Sequence, residues 1–100
     1  MKVDFTKRAS DAARRLQPKP ARQIAARIAR LQVDPYPQDC KKLHGSDLLR
    51  VDSGEYRIVY RVSKESNPET GQDEPVLSID AIGKRNDDEV YRRIRRGDGG

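Results

Sequence analysis

Three arginines, Arg50, Arg57 and Arg61, sit in a stretch that otherwise asks to be buried: L-L-R-V-D-S-G-E-Y-R-I-V-Y-R-V, residues 48–62. A guanidinium among apolar strand residues is costly unless it has a task or a partner. A second basic group, Gly83-Lys84-Arg85, ends a later apolar stretch, and Tyr91 follows six residues on. Taken singly, each strand arginine can be answered across a sheet by Asp52, Glu55 or Asp80. Taken together with Lys84 and Arg85, a cluster of cations on one face either meets a polyanion or repels itself. Tyr91 then either packs a last helix onto the sheet or brings a phenol to the cluster.

Other chemistries find little support. His44 is the single histidine and Cys40 the single cysteine, four positions apart on a polar connection. Such a pair is more often incidental than a ligand set, so no metal is expected. A Ser-His-Asp device would have to use His44, and no nucleophile elbow surrounds any serine. No glycine pattern of the phosphate-loop or dinucleotide type occurs, and no cofactor is expected.

The elements that must position these residues can be read in order. Lys2–Phe5 alternates weakly and ends at Thr6, which predicts a short strand and a helix N-cap. Residues 7–16 are rich in Ala and Arg without Gly or Pro, which favours helix. Gln17-Pro18-Lys19-Pro20 breaks it, and a second helix starts near Pro20. Its apolar face is Ala21, Ile24, Ala25, Ile28 and Leu31, with Arg22, Arg27 and Arg30 off it. Together with Arg8, Arg14 and Arg15 these arginines form a solvated face. Asp34-Pro35-Tyr36-Pro37 stops the second helix, and the pair is close enough to form a helical hairpin.

Residues 38–47 read as a polar connection. Residues 48–51 and 56–62 are the arms of a hairpin, with Asp52-Ser53-Gly54 supplying the turn. Alternation on the second arm places Tyr56, Ile58, Tyr60 and Val62 on one face and Arg57, Val59, Arg61 and Ser63 on the other. Residues 64–75 form a long, flexible polar loop. A further strand, from Pro75 to Ile82, carries Leu77, Ile79 and Ala81 on one face and Ser78 and Asp80 on the other. Residues 87–95 predict a short C-terminal helix with acids first and arginines last, in the sense the helix dipole favours. Residues 96–100 are a frayed tail. The order β-α-α-β-β-β-α predicts one α+β domain over residues 1–100: an N-terminal strand and helical hairpin on a twisted antiparallel sheet, with a short C-terminal helix.

Composition bounds the partners. Lys and Arg number 21 against 16 Asp and Glu, a net charge of +5. That balance fits a polyanion such as nucleic acid, or an acidic protein, or solubility alone. A lone cysteine excludes an internal disulfide and fits a reducing cytoplasm. No apolar run reaches membrane-spanning length, and no signal-type apolar region follows Met1.

Four stretches carry a family resemblance: V-D-F-T-K-R-A; K-K-L-H-G-S-D-L-L-R-V; G-E-Y-R-I-V-Y-R-V; and I-G-K-R-N-D-D-E-V-Y. In order and spacing they resemble the RelE family of type II toxins, within the RelE/ParE superfamily. Residues 64–75 are longer than the family's usual connection. The resemblance implies a ribosome-dependent endoribonuclease that cuts messenger RNA and is held inactive by a cognate antitoxin in a hetero-oligomer. By position it implies catalytic roles for Arg57, Arg85 and Tyr91. Arg50 stands for one of two family lysines, and Leu48 stands where the other would be. Lys84, Arg61, Lys41 and Lys42 are the basic residues expected to bind RNA beside them. The ParE branch implies an alternative, a non-enzymatic inhibitor of DNA gyrase; an inactive member that only binds its antitoxin is a third.

The physical chemistry of these residues is compatible with RNA cleavage. When a ribose 2′-oxygen attacks phosphorus, charge builds on the non-bridging and leaving oxygens. Arginines clamp such charge bidentately but exchange protons poorly. Tyr91 would need its phenol pKa lowered by neighbouring cations to act as a base.

Overall fold

Strand β1 (Lys2–Phe5) opens a computed structural model that describes residues 1–85. It is followed by α1 (Lys7–Arg14), α2 (Pro18–Val33), β2 (Lys41–Lys42), β3 (Leu49–Ser53), β4 (Tyr56–Ser66) and β5 (Asp73–Lys84). The expected C-terminal helix, Tyr91 and the tail 96–100 lie outside the described residues. The strands form one sheet in the order β1-β5-β4-β3-β2. β1 runs parallel to β5, and the other pairings are antiparallel, so the sheet is mixed. The two helices pack on it, which makes the fold α+β.

Local chemistry accounts for the helix ends. The Thr6 hydroxyl accepts from the Ala9 N–H at 3.2 Å, capping α1 as its sequence predicts. α1 stops at Arg14, two residues short of Leu16. α2 begins at Pro18 and not near Pro20, because both prolines fit a first turn, where backbone N–H groups have no helical partner anyway. Gln17, directly before proline, is extended (φ −64°, ψ 156°). α2 buries Ile24, Ile28 and Leu31. Ala25, expected on that face, is exposed.

Those three side chains and Ala9 of α1 meet Val51, Ile58, Tyr60, Leu77, Ile79 and Ile82 in the main core. Burial drives the Tyr60 phenol pKa far above its usual value, and its hydroxyl donates to the Pro35 carbonyl at 2.7 Å. Tyr60 is therefore a structural phenol that keeps its proton. On the opposite face, Leu48, Val59 and Ala81 form a small second cluster with Leu43 packed against it.

The split of β5 between the two faces departs from simple alternation. Val59 pairs with Ala81 but Tyr60 pairs with Ile79, which leaves Asp80 without a counterpart. One extra residue reverses the facing of all that follows. Ala81 thus moves to the sheet face away from α1 and α2, open only with respect to those two helices, beside Val59, and Ile82 takes its place in the core. The bulged Asp80 is held from α1: its carbonyl accepts from the Thr6 hydroxyl at 2.7 Å and from Arg8 Nε at 3.1 Å, and its carboxylate pairs with Arg8. Arg8 is a structural clamp, not part of a solvated face, and Asp80 is not a partner of the strand arginines.

The expected loop 64–75 shortens to residues 67–72, since β4 and β5 continue pairing out to Ser66 and Asp73. A hydrogen-bonded ladder can continue without apolar side chains, so polarity was a poor guide to where the strands stop. Asn67 organises the tip: its N–H donates to the Gln72 carbonyl and its carbonyl accepts from Gly71, which has φ +72°. Residues 41–42, expected in a connection, instead form the edge strand β2. Among the described residues no helix is long and apolar enough to cross a membrane.

Candidate phosphate-binding site at the end of the sheet

The β3–β4 hairpin places the first pair of site residues. Its turn is Gly54-Glu55, with Ser53 opposite Tyr56 and Asp52 opposite Arg57. Gly54 has φ +59° while Glu55 keeps a negative φ, the signature of a type II′ turn that needs glycine first. The turn is thus one residue later than Asp52-Ser53-Gly54, and Asp52 is free of turn duty. It lies in the ladder, across from an arginine on the open face.

Arg85 arrives from the neighbouring strand. Its N–H donates to the Glu55 carbonyl at 2.8 Å, which ties the residue just beyond β5 to the hairpin turn. The two arginines then meet on one carboxylate. Arg57 Nε donates to Asp52 Oδ1 at 2.8 Å, and Arg85 Nε lies 3.4 Å from Asp52 Oδ2. The Arg57 side chain is 17% exposed and that of Arg85 is 53% exposed. Burial works to raise the Asp52 pKa. The Arg57 hydrogen bond and the charges of Arg57, Arg85 and Arg50 outweigh it and hold the carboxyl below the ordinary range. Asp52 is therefore ionised at neutral pH.

Beside this bridge lies a cavity of about 500 Å³ lined by Glu55, Arg57, Lys84 and Arg85. Among the described residues its lining carries three cations and one carboxylate, with Asp52 bridging two of those cations, which leaves a net positive charge. Such a lining is chemically able to receive an anion, and two guanidinium groups at its edge suit the geometry of a phosphate.

The other expected site residues divide. Arg50 is half-buried on the open face, in the row of Val59 and diagonal to Arg57. Lys41 stands across from Arg50 on β2 and extends the basic surface outward. Lys84 lines the cavity. Lys42 pairs with Leu49, which directs it to the opposite face of the sheet from Lys41. It lines a separate depression with Leu43, His44, Gly45, Ser46 and Asp47. Arg61 is four residues along β4 from Arg57, about 13 Å, and approaches Asp47 at 4.0 Å with both side chains exposed. The structure therefore brings Arg50, Arg57 and Arg85 together, with Lys41 behind them and Lys84 at the edge of the cavity, where its register opposite Tyr56 starts it from the helix side of the sheet; Lys42 and Arg61 lie apart. Tyr91 lies outside the described residues. The importance of Asp52 was accessible in the sequence, because residues equidistant from a two-residue turn face each other, but its second partner was not.

Leu48, where the family pattern has a lysine, is 8% exposed within the open-face cluster. Leu48→Lys is expected to destabilise the fold by up to about 1.5–3 kcal/mol, the burial of one leucine side chain. Snorkelling of the lysine would soften the loss. Urea unfolding measures this, and an unchanged midpoint would mean that the cluster contributes nothing to stability.

A five-stranded mixed sheet that carries two helices on one face, with arginines gathered at one end, is the architecture that defines the class. No protein-family model and no curated protein sequence matches the chain. Solved structures do. The isolated E. coli RelE toxin superposes with a TM-score of 0.64 at 23% identity, over 96% of each chain. An archaeal RelE–RelB complex from Pyrococcus horikoshii gives 0.65 at 25%, over 85% of this chain and 94% of that one. The RelBE2 toxin–antitoxin complex from Mycobacterium tuberculosis gives 0.63 at 21%, over 84% and 96%. The chain has the fold of the RelE toxins, and the resemblance read in its sequence is borne out.

Proposed function

We propose that this chain is the toxin of a type II toxin–antitoxin module and that it cleaves messenger RNA on the ribosome. The observation that carries this reading is the convergence of Arg57 and Arg85 on one carboxylate beside a basic cavity. In the proposed reaction the ribose 2′-hydroxyl gives up its proton and its oxygen bonds to phosphorus. The P–O5′ bond breaks to leave a 2′,3′-cyclic phosphate, and the departing 5′-oxygen takes a proton from water. The two guanidiniums take the charge that grows on the phosphorane oxygens, and Arg50 adds field from the neighbouring strand. Tyr91 serves as base or orienting group. The ribosome holds the messenger in the attacking geometry and so supplies part of the rate. Lys41 and Lys84 contact flanking phosphates. The partner is a cognate antitoxin, as RelB is for the RelE chains in the complexes above, and the compartment is the cytoplasm.

A ParE-like inhibitor of gyrase is the second reading, favoured by one observation: Leu48 fills an apolar cluster where the nuclease pattern has a cation. Controlled expression with separate readouts of translation and of DNA supercoiling decides between them. Arrest of translation with cut messenger supports the nuclease. Growth arrest with altered supercoiling and intact messenger overturns it in favour of the second reading.

A further inference from the structure

We propose that Asp52 is a positioning residue: its carboxylate bridges Arg57 and Arg85 and orders the pair, while weakening the pull of the site on phosphate. The inference rests on the nuclease reading above.

Each oxygen of Asp52 serves a different arginine, Oδ1 facing Arg57 Nε at 2.8 Å and Oδ2 facing Arg85 Nε at 3.4 Å. Two guanidiniums gathered on one small group repel each other, and the carboxylate between them offsets this. The dependence is greater for Arg85. It lies just past the end of β5, its side chain is half exposed, and among the described residues its other side-chain contact is the Gly54 carbonyl at 3.5 Å, the long limit of a hydrogen bond. Asp52 itself is placed firmly, since the hairpin register sets it directly across from Arg57. The same negative charge stands where a phosphate would seek those arginines, so it opposes RNA binding while it arranges the clamp. One substitution should therefore move affinity and turnover in opposite directions.

The test is Asp52→Asn in the full chain, with Asp52→Glu as the charge-preserving control. On programmed ribosomes at saturation, Asp52→Asn should lower kcat about tenfold, within the loss that misplaced catalytic groups cause. Binding of a 2′-O-methyl oligoribonucleotide, which cannot be cut, should tighten severalfold. The slope of log K against log salt should steepen by about 0.7 for one more phosphate engaged. The Arg85 Nε–H resonance is expected to be resolved from those of exposed arginines in the unmutated protein and to merge with them in Asp52→Asn. Asp52→Glu should restore wild-type affinity and part of the turnover. A merely structural acid would weaken binding and turnover together, and that result overturns the proposal, as does unchanged kcat with unchanged affinity. If the unmutated protein never cuts on ribosomes, the nuclease reading fails by itself. The resonance and the oligoribonucleotide titration then still decide whether Asp52 orders Arg85: an Arg85 signal unaffected by Asp52→Asn overturns it.

Discussion

Arg57→Ala is expected to slow messenger cleavage on programmed ribosomes by about 10²–10³, the usual loss when one preorganised oxyanion donor is removed. Arg85→Ala should fall in the same range. The reason is geometric: Arg57 leaves a central strand with its side chain largely buried, and its guanidinium is already held beside the basic cavity before any RNA arrives. Arg57→Lys should recover only part of the rate, because the charge remains but the planar fork is lost. Removing Arg57 takes away one of the two ion pairs that Asp52 makes among the described residues, so circular dichroism is needed to confirm that each variant is folded. Folded Arg57→Ala and Arg85→Ala proteins that cut at the wild-type rate would remove the nuclease assignment.

Ile58→Ala is expected to lower unfolding stability by about 2–5 kcal/mol, the range for truncating a buried Ile to Ala. Ile58 is fully buried in the main core, on the strand that carries Arg57 and directly across from Ile82 and Val51. A domain of this size has only about 5–15 kcal/mol in total, so the loss is a large share of it. Urea unfolding at equilibrium measures the change. The comparison with Arg57→Ala is informative. Ile58→Ala should lower the folded fraction and leave cleavage per folded molecule nearly intact, whereas Arg57→Ala should do the reverse. A loss of unfolding free energy of less than about 1 kcal/mol, half the low end of that range, would mean that the packing around Ile58 is looser than its burial implies.

Much of this protein was determined by its local sequence. Thr6 before an Ala-rich run makes a helix cap because the short-range chemistry of hydroxyl and N–H requires nothing distant. Alternation on β4 put Ile58 and Tyr60 inward and Arg57 outward, since a strand's period of two holds wherever one face is buried. The outward facing of Arg57 was legible for that reason alone, whereas Arg61, read on the same face, lies apart from it near Asp47. Three features were decided by tertiary structure. The bulge at Asp80, which sends Ala81 to the open face and Ile82 to the core, is secured by Thr6 and Arg8 more than 70 residues earlier. No local pattern on β5 encodes that contact. The parallel pairing of β1 with β5 and the edge strand at Lys41–Lys42 likewise depend on which backbones meet, and two exposed lysines carry no strand signal. The bridge at Asp52 joins both levels. Its pairing with Arg57 follows from a two-residue turn, whereas its contact with Arg85 exists only because β5 lies beside β4 and the ladder runs one bond beyond Lys84.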